Sequence, residues 1–315
     1  PSEETSSTVQ RAQPGANRDV RSKAPSKRRK ISTSSQMEHA QRTVRTEESR
    51  ELLEPSEDDG TQSFDDEGDV GVLRTWRAMC PELQALWHED IPEDWDGVTF
   101  ANGRVVKIKL IEERLTGAVP AEIGRLSALR ELILSENQLT SVPVEIGQLT
   151  SLGKLCLDNN QLSSVPAEIG QLTSLKWLNL AINQLSSLPA EIGQLTSLQQ
   201  LVLALNRLTS VQAEIGQLPA LEWLYLGDNR QLIVPAEIGQ LTSLKVLNLS
   251  YNLLTTVPAE IGQLRSLKQL WLHGNALTTL PAAIRELGAT SCHVVLDDGV
   301  LFDEEKRLLY ARQSL

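Results

Sequence analysis

Leucine and asparagine recur along most of the chain with a fixed spacing. From about residue 105 onwards, segments of the form LxxLxLxxN follow one another every 23 residues. The asparagines that close these segments are Asn137, Asn160, Asn183, Asn206, Asn229, Asn252 and Asn275. A fixed period of this length is typical of a solenoid, in which each unit buries its apolar face only against its neighbours. The pattern therefore predicts a stack of similar units rather than one globular core.

The unit from Leu175 to Ser197 shows how the pattern predicts local structure. Alternating leucines predict a short strand with one face in the core, and Asn183 marks the turn that leaves it. Pro189 suits the first position of a helical turn, where a missing N–H costs nothing, and Glu191 lies in that first turn. The expected interior positions are Leu175, Leu178, Leu180, Leu185, Leu188, Ile192 and Leu195.

The full motif LxxLxLxxNxLxxLPxEIGxL resembles that of leucine-rich-repeat proteins. The resemblance implies an α/β solenoid, a horseshoe with a concave parallel β-sheet, short helical or 3-10 segments on the convex side, and a cap at each end. It also implies that each buried Asn side chain bonds to backbone groups of its own turn and of the adjacent repeat. The PxEIGxL form is similar to intracellular Ras-group and plant or protist Ras-group-related repeat proteins, which implies a signalling adaptor.

Composition and motif boundaries divide the chain into regions. We expect a disordered charged tail over 1–70, an N-terminal cap over 71–104, eight repeats of 23 to 24 residues over 105–290, and a partial repeat with a cap helix over 291–315. The tail has almost no apolar clusters, so it cannot bury enough surface to offset chain entropy. The predicted cap helix covers Asp303 to Arg312.

The ends and the irregular repeats depart from the motif. Trp76, Trp87 and Trp95, with the segment DWDGVTFANGRV, resemble the cap of plant-type members, and Phe100 stands where such caps usually carry a cysteine. The missing cysteine favours a reducing compartment. Gln212 replaces the usual proline, and a reversed leucine order predicts a distorted loop over 229–235.

The charge distribution and the hydropathy of the chain suggest where in the cell the protein is located. The formal charge is -11, and acidic residues follow a basic run at Lys27, Arg28, Arg29 and Lys30 within the tail. The run resembles a nuclear-import motif, and a merely solvated basic segment is the alternative. No stretch approaches the roughly 20 apolar residues that cross a bilayer. We therefore expect a cytoplasmic protein, with the nucleus as an alternative location.

The sequence offers few groups for catalysis. It has no GxxxxGK[ST], GxSxG, HExxH or kinase-type motif. The cysteines, Cys80, Cys156 and Cys292, are far apart, and the four histidines are equally scattered, so neither a disulfide framework nor a zinc pattern is formed. We therefore expect no enzyme activity, no cofactor, no metal site and no nucleic-acid partner.

The strand residues between the leucines vary, whereas the helical side repeats almost unchanged, as in PAEIGQLTS. Period-two alternation turns two columns of these residues away from the core. One column is Lys107, Glu131, Lys154, Trp177, Gln200, Trp223, Val246 and Gln269; the next is Lys109, Ile133, Cys156, Asn179, Val202, Tyr225, Asn248 and Trp271. A repeated scaffold with diversified strand faces is what a binding surface requires.

Aromatic residues concentrate on this face, although only 4% of the chain is aromatic. The predicted partner-binding residues are Trp177, Trp223, Tyr225 and Trp271, with Tyr251 on the rim and Val202 and Val246 nearby. Aromatic side chains are enriched among interface anchors. The alternative is that these rings only shield one another in cross-strand pairs.

The leading hypothesis is a non-catalytic protein-interaction scaffold, a signalling adaptor that binds a protein or peptide on its concave face. Analogy with the adaptor group allows a small GTPase, phosphatase or kinase as the partner. The alternative hypotheses are a receptor-like recognition module and the regulatory part of a larger enzyme chain.

Overall fold

The computed structural model describes residues 68–87, 92–229, 232–289 and 292–302. The basic run at Lys27–Lys30 and the predicted cap helix lie outside these residues. The described part begins with helix α1 (Asp69–Met79), helix α2 (Pro81–Leu86) and a 3-10 turn over Pro92–Asp94. The first helix begins at Asp69, so the expected boundary near residue 70 falls in its first turn.

A hairpin leads into the repeats. Strand β1 (Val98–Ala101) pairs antiparallel with β2 (Arg104–Lys109), and every later pairing in this sheet is parallel. The repeat strands are β4 (Glu131–Ile133), β6 (Lys154–Cys156), β7 (Trp177–Asn179), β8 (Gln200–Val202), β9 (Trp223–Tyr225), β10 (Val246–Asn248), β11 (Gln269–Trp271) and β13 (His293–Val295). Within the described residues these form a 10-stranded sheet in the order β1-β2-β4-β6-β7-β8-β9-β10-β11-β13.

The opposite side of the repeats consists of short 3-10 turns. They span Ala121–Arg125, Val144–Gln148, Ala167–Gln171, Ala190–Gln194, Ala213–Gln217, Ala236–Gln240 and Ala259–Gln263. The last full repeat instead carries an α-helix, α3 (Ala282–Ala289). Two smaller sheets pair β3 (Thr116–Ala118) with β5 (Gln138–Ser141), and β12 (Thr279–Leu280) with β14 (Leu301–Phe302). The architecture is the predicted solenoid of parallel strands and 3-10 turns.

The core is aliphatic and continuous through the stack. The central leucine of each repeat strand from β4 to β11 is fully buried, as at Leu178, Leu201 and Leu224, and it aligns with the central residue of the next strand. Leucine, isoleucine and valine fill the narrow space between sheet and turns. Such side chains reach native packing density without rings, which explains the low aromatic content.

Three tryptophans close the N-terminal end. Trp87 stacks on Trp95 at 4.8 Å between ring centroids and meets Trp76 edge-on at 6.4 Å. Asp69 accepts two hydrogen bonds from the Arg104 guanidinium, each 3.0 Å, and one of 2.7 Å from the backbone N–H of Val105. The buried rings and this ion pair join helix α1 to the hairpin and cover the first leucine layer.

Buried asparagines satisfy the backbone of the turns, as the family resemblance implied. The side-chain amide of Asn183 donates to the carbonyls of Leu157, Leu180 and Ala181, at 2.9, 3.2 and 3.2 Å. Its oxygen accepts from the N–H of Leu162 at 2.9 Å. Each Asn therefore links two consecutive repeats, and without it these buried polar groups would lack partners.

The close spacing between the 3-10 turns of successive repeats depends on glycine. A Cβ atom added at Gly193 would lie 2.6 Å from the carbonyl oxygen of Glu214, in the turn of the next repeat. The equivalent glycines of the other repeats meet the same obstacle, at 2.5 to 2.6 Å. Glycine is thus required because the neighbouring backbone is too close for any side chain.

Replacing Asn183 by Leu should lower the free energy of unfolding by about 1–3 kcal/mol or more, because the turn loses all four of these hydrogen bonds. Urea denaturation of the purified chain measures the change. The exposed Gln194, changed to Ala, is the control and should cost less than about 0.5 kcal/mol. Equal losses at both positions would contradict the role of the asparagine.

Replacing Gly193 by Ala should cost about 1–3 kcal/mol, because the repeats must separate to admit the methyl group. Gly153 provides the matched control, since a Cβ there meets only the Arg130 oxygen at 3.7 Å. Gly153→Ala should leave stability unchanged or raise it by about 0.4–1 kcal/mol. If Gly193→Ala melts at the wild-type temperature, the turns are not in the close contact described here.

Candidate functional site

The sheet face turned away from the leucine core, which we call the concave face, carries the tryptophans and the strand tyrosine that the sequence predicts to bind a partner. Trp177 and Trp223 begin strands β7 and β9, and Tyr225 and Trp271 end strands β9 and β11. The register places Trp223 beside Gln200 and Val246, and Tyr225 beside Val202 and Asn248. The predicted residues therefore lie on one face, across consecutive strands.

Part of this face is a packed apolar cluster. Val202, Tyr225 and Val246 are only 5%, 5% and 8% exposed, and they form with Ala181 a cluster separate from the core. Ile182 and Trp223 pack against it. The prediction that Tyr225, Val202 and Val246 face away from the core therefore needs one correction. They lie on the concave face, but cross-strand neighbours bury them. They therefore pack beneath the exposed side chains and offer little area of their own to a partner.

The accessible aromatic surface lies at Trp177, Trp223, Trp271 and Tyr251, which are half-buried. The Lys154 Nζ atom lies 4.7 Å from the Trp177 ring centroid, and Lys245 Nζ lies 5.3 Å from that of Trp223. These cations are held against the ring faces by cation–π attraction. Within the described residues, the Trp177 Nε1 donor has no hydrogen-bond acceptor.

The residues that follow the strands form one border of the concave face, which we call the carboxyl edge. It comprises the pairs 135–136, 158–159, 181–182, 204–205, 227–228, 250–251 and 273–274. The second member of each pair has positive φ, for example 54° at Ile182, 58° at Leu205 and 57° at Tyr251. Glycine or asparagine adopts this conformation most easily, and a β-branched residue such as Ile182 is strained there.

Two aspartates on the carboxyl edge are partly buried. Burial raises the pKa of Asp158, and this is only partly opposed by a 2.7 Å hydrogen bond from the Ser135 hydroxyl and by the charge of Lys154. Burial also raises the pKa of Asp228. Burial lowers the pKa of His273, against the opposing charge of Asp297, and its ring meets that of Tyr251 edge-on at 5.2 Å.

The residues that precede the strands form the opposite border, the amino edge, and their charge is mainly positive. They are Arg130, Gly153, Lys176, Gln199, Glu222, Lys245 and Lys268. Glu222 is the exception, and it pairs with Lys245 at 2.6 Å. The concave face is therefore apolar in its centre, acidic on one border and basic on the other.

Other candidate groups do not assemble with this surface. Cys156 lies on the concave face but is buried, and Cys80 and Cys292 are buried elsewhere, with burial raising the pKa of the latter two. In the part of the chain that the structure describes, no cluster of His, Cys, Asp and Glu could hold a metal ion. No helix among those same residues is long and apolar enough to cross a membrane.

Family comparisons match the repeats in three places. A leucine-rich repeat region matches residues 167–252, a leucine rich repeat matches 234–277, and a pair of leucine rich repeats matches 127–168. These segments coincide with the strands, buried asparagines and 3-10 turns described above. This part of the chain consists of leucine-rich repeats. Comparison of the sequence with curated proteins found no match.

Solved leucine-rich-repeat structures share the fold. The ectodomain of the Arabidopsis receptor kinase HAESA, in complex with an N-terminally extended IDA peptide hormone ligand, superposes with a TM-score of 0.62 at 27% identity, over 73% of this chain and 41% of that one. The PEPR1–AtPEP1 structure superposes with a TM-score of 0.60 at 29% identity, over 68% of this chain and 32% of that one. A leucine-rich-repeat protein of Leptospira interrogans is 42% identical, with a TM-score of 0.47, over 58% and 53%. The chain thus spans about half or less of each of these proteins.

Changing Asp158 or Asp228 to Asn should raise the melting temperature at neutral pH, because burial disfavours the charged carboxylate. A raised folded-state pKa contributes stability that is present at low pH and lost as the pH rises through it. The advantage of each variant over wild type should therefore shrink as the pH falls towards the ordinary aspartate value of 3.8.

Thermal melts at several pH values measure this difference. Glu112→Gln is the matched control, since Glu112 is exposed on the same edge with φ of 61°. Its melting temperature should stay within the error of wild type. An Asn variant that is less stable than wild type at neutral pH would show that the carboxylates contribute to folding.

Proposed function

We propose that this chain is a non-catalytic protein-interaction module whose concave face binds a protein or an extended peptide. The observation that carries the proposal is the apolar cluster of Ala181, Val202, Tyr225 and Val246, which is separate from the core. Strands of a solenoid need leucines on one face only. On the other face this cluster is itself buried, and it supports the half-buried ring of Trp223.

The contacts around the cluster favour a binding role. Trp177 and Trp271 lie to either side of it, on the fourth and eighth repeats, and both remain partly exposed. Large rings of this kind anchor interfaces because they bury much area with few rotatable bonds.

Apolar residues on the carboxyl edge support the same proposal. Ile182 and Leu205 hold φ of 54° and 58°, whereas the preceding repeat carries the better-suited Asn159 at this position. Holding such residues in the left-handed region costs roughly 1–2 kcal/mol each. Ile182 and Leu205 extend the apolar surface beside the cluster in spite of this cost, which the turn geometry imposes at the same position of every repeat.

Two biological settings accommodate this binding. The first is the signalling adaptor suggested by the PxEIGxL motif, located in the cytoplasm or, if the basic run at Lys27–Lys30 functions in import, in the nucleus. The second is a receptor-like recognition module, which the likeness to HAESA and PEPR1 favours. Sequencing the complete reading frame separates them, because a kinase domain or a membrane span in the same chain would support the receptor.

Truncating Trp177 and Trp271 together to Ala should weaken partner binding by well over tenfold, since each such anchor is typically worth about 2 kcal/mol or more. This pair is preferable to Trp223 and Tyr225, because Tyr225 is buried and its loss would also lower stability. Affinity capture from an extract of the source cells, followed by mass spectrometry, gives the candidate partner. Titration with that purified partner then measures the affinity.

The control replaces Gln148 and Gln171, which are exposed on the 3-10 side, by Ala. Wild type and control should retain the same partner, while the tryptophan variant loses it and keeps its circular dichroism spectrum. Retention of the partner by all three proteins would place the binding surface elsewhere and refute the proposal.

A further inference from the structure

The carboxyl edge beside the apolar cluster has a regular arrangement of charge. Asp158 follows strand β6 and Asp228 follows strand β9. The two intervening repeats carry Ala181 with Ile182 and Ala204 with Leu205 at the equivalent positions. Four apolar residues therefore lie between two carboxylates, within a stretch of three strand spacings.

The spacing matches that of an extended chain. Strands in a sheet lie about 4.8 Å apart, so the repeats that carry Asp158 and Asp228 are separated by roughly 14 Å along this edge, and Asp228 lies one residue further along its turn than Asp158. An extended peptide advances about 3.3 Å per residue, and alternate side chains share one face. Its residues i and i+4 are then about 13 Å apart on the same face, with residue i+2 between them.

We infer that the partner segment is an extended peptide with the pattern basic, any, apolar, any, basic. The inference rests on the proposed function and specifies its ligand. Its two cations would pair with Asp158 and Asp228, while the middle side chain would contact Ile182, Leu205 and the adjoining apolar cluster.

Charge on both borders favours this orientation. Arg130, Lys176 and Lys268 on the amino edge repel a basic segment, so its cations are directed to the carboxyl edge. Lys154 lies near Asp158 and is held over the Trp177 ring at 4.7 Å. The Asp228 carboxylate has no cation or hydrogen-bond donor partner among the described residues, so a partner's cation would supply its missing charge.

The burial of these carboxylates also indicates a binding role. Burial disfavours the charged form of both side chains, and asparagine would avoid that cost while still accepting the Ser135 hydroxyl bond. Charged side chains that do not stabilise the fold are expected at a binding site. The two carboxylates fit that description.

A displayed library of random dodecapeptides, selected on the immobilised full chain, tests the inference. Wild type should enrich peptides with two Lys or Arg residues four positions apart and an apolar residue midway. For a selected peptide, the Asp158→Asn, Asp228→Asn double variant should bind at least tenfold more weakly. Its remaining affinity should depend less on salt than that of wild type, because the variant lacks two charges whose attraction for a basic peptide is screened by salt.

Matched proteins separate this inference from the proposed function. The Glu112→Gln variant, neutralised on the same edge but away from the cluster, should bind selected peptides like wild type. Selected peptides that depend on Trp177 and Trp271 but lack the basic pair, or that bind the Asn double variant equally well, would overturn the inference alone. Failure to select any peptide, or selection of peptides insensitive to Trp177→Ala with Trp271→Ala, would overturn the peptide-binding function as well.

Discussion

The whole architecture depends on satisfying the buried backbone where each strand turns back. A repeat of 23 residues must place a turn inside the stack, where water cannot reach its N–H and C=O groups. Asn183 meets this requirement with four hydrogen bonds, three within its own turn or to the preceding repeat's carbonyl and one to the N–H of Leu162. Because each asparagine ties two repeats together, no repeat is stable alone, and leucine layers and glycine contacts can form only once the stack exists.

The sequence predicts most of this scaffold because its constraints repeat. Leucine spacing fixes the strand direction, the asparagine fixes the turn, and one repeat predicts the next. The α-helix over Ala282–Ala289 and the small sheet of β3 and β5 were not predicted, since they occur only in repeats near the ends. The positive φ of Ile182 could not be predicted either, because isoleucine rarely adopts the left-handed region and no neighbouring residue indicates it.

The candidate site was only partly predictable for a different reason. Alternation shows which side chains leave the core, but it does not show how they pack on the other face. Trp177 and Trp271 lie where the pattern indicated, while Tyr225, Val202 and Val246 are buried by neighbours that are 23 residues away in sequence. The acidic and basic borders emerge only when parallel strands bring residues from many repeats to the same edge.

A solenoid can carry strained and charged residues on one face because its stability is set on another. The asparagines, leucines and glycines that hold neighbouring repeats together all lie in the core or on the 3-10 side. Ile182, Asp158 and Asp228 lower stability locally, by backbone strain or by burial of charge, while the asparagine, leucine and glycine contacts between repeats stay in place. This separation allows the concave face to diversify from repeat to repeat while the rest of each unit stays nearly unchanged, so recognition can change without a change of fold.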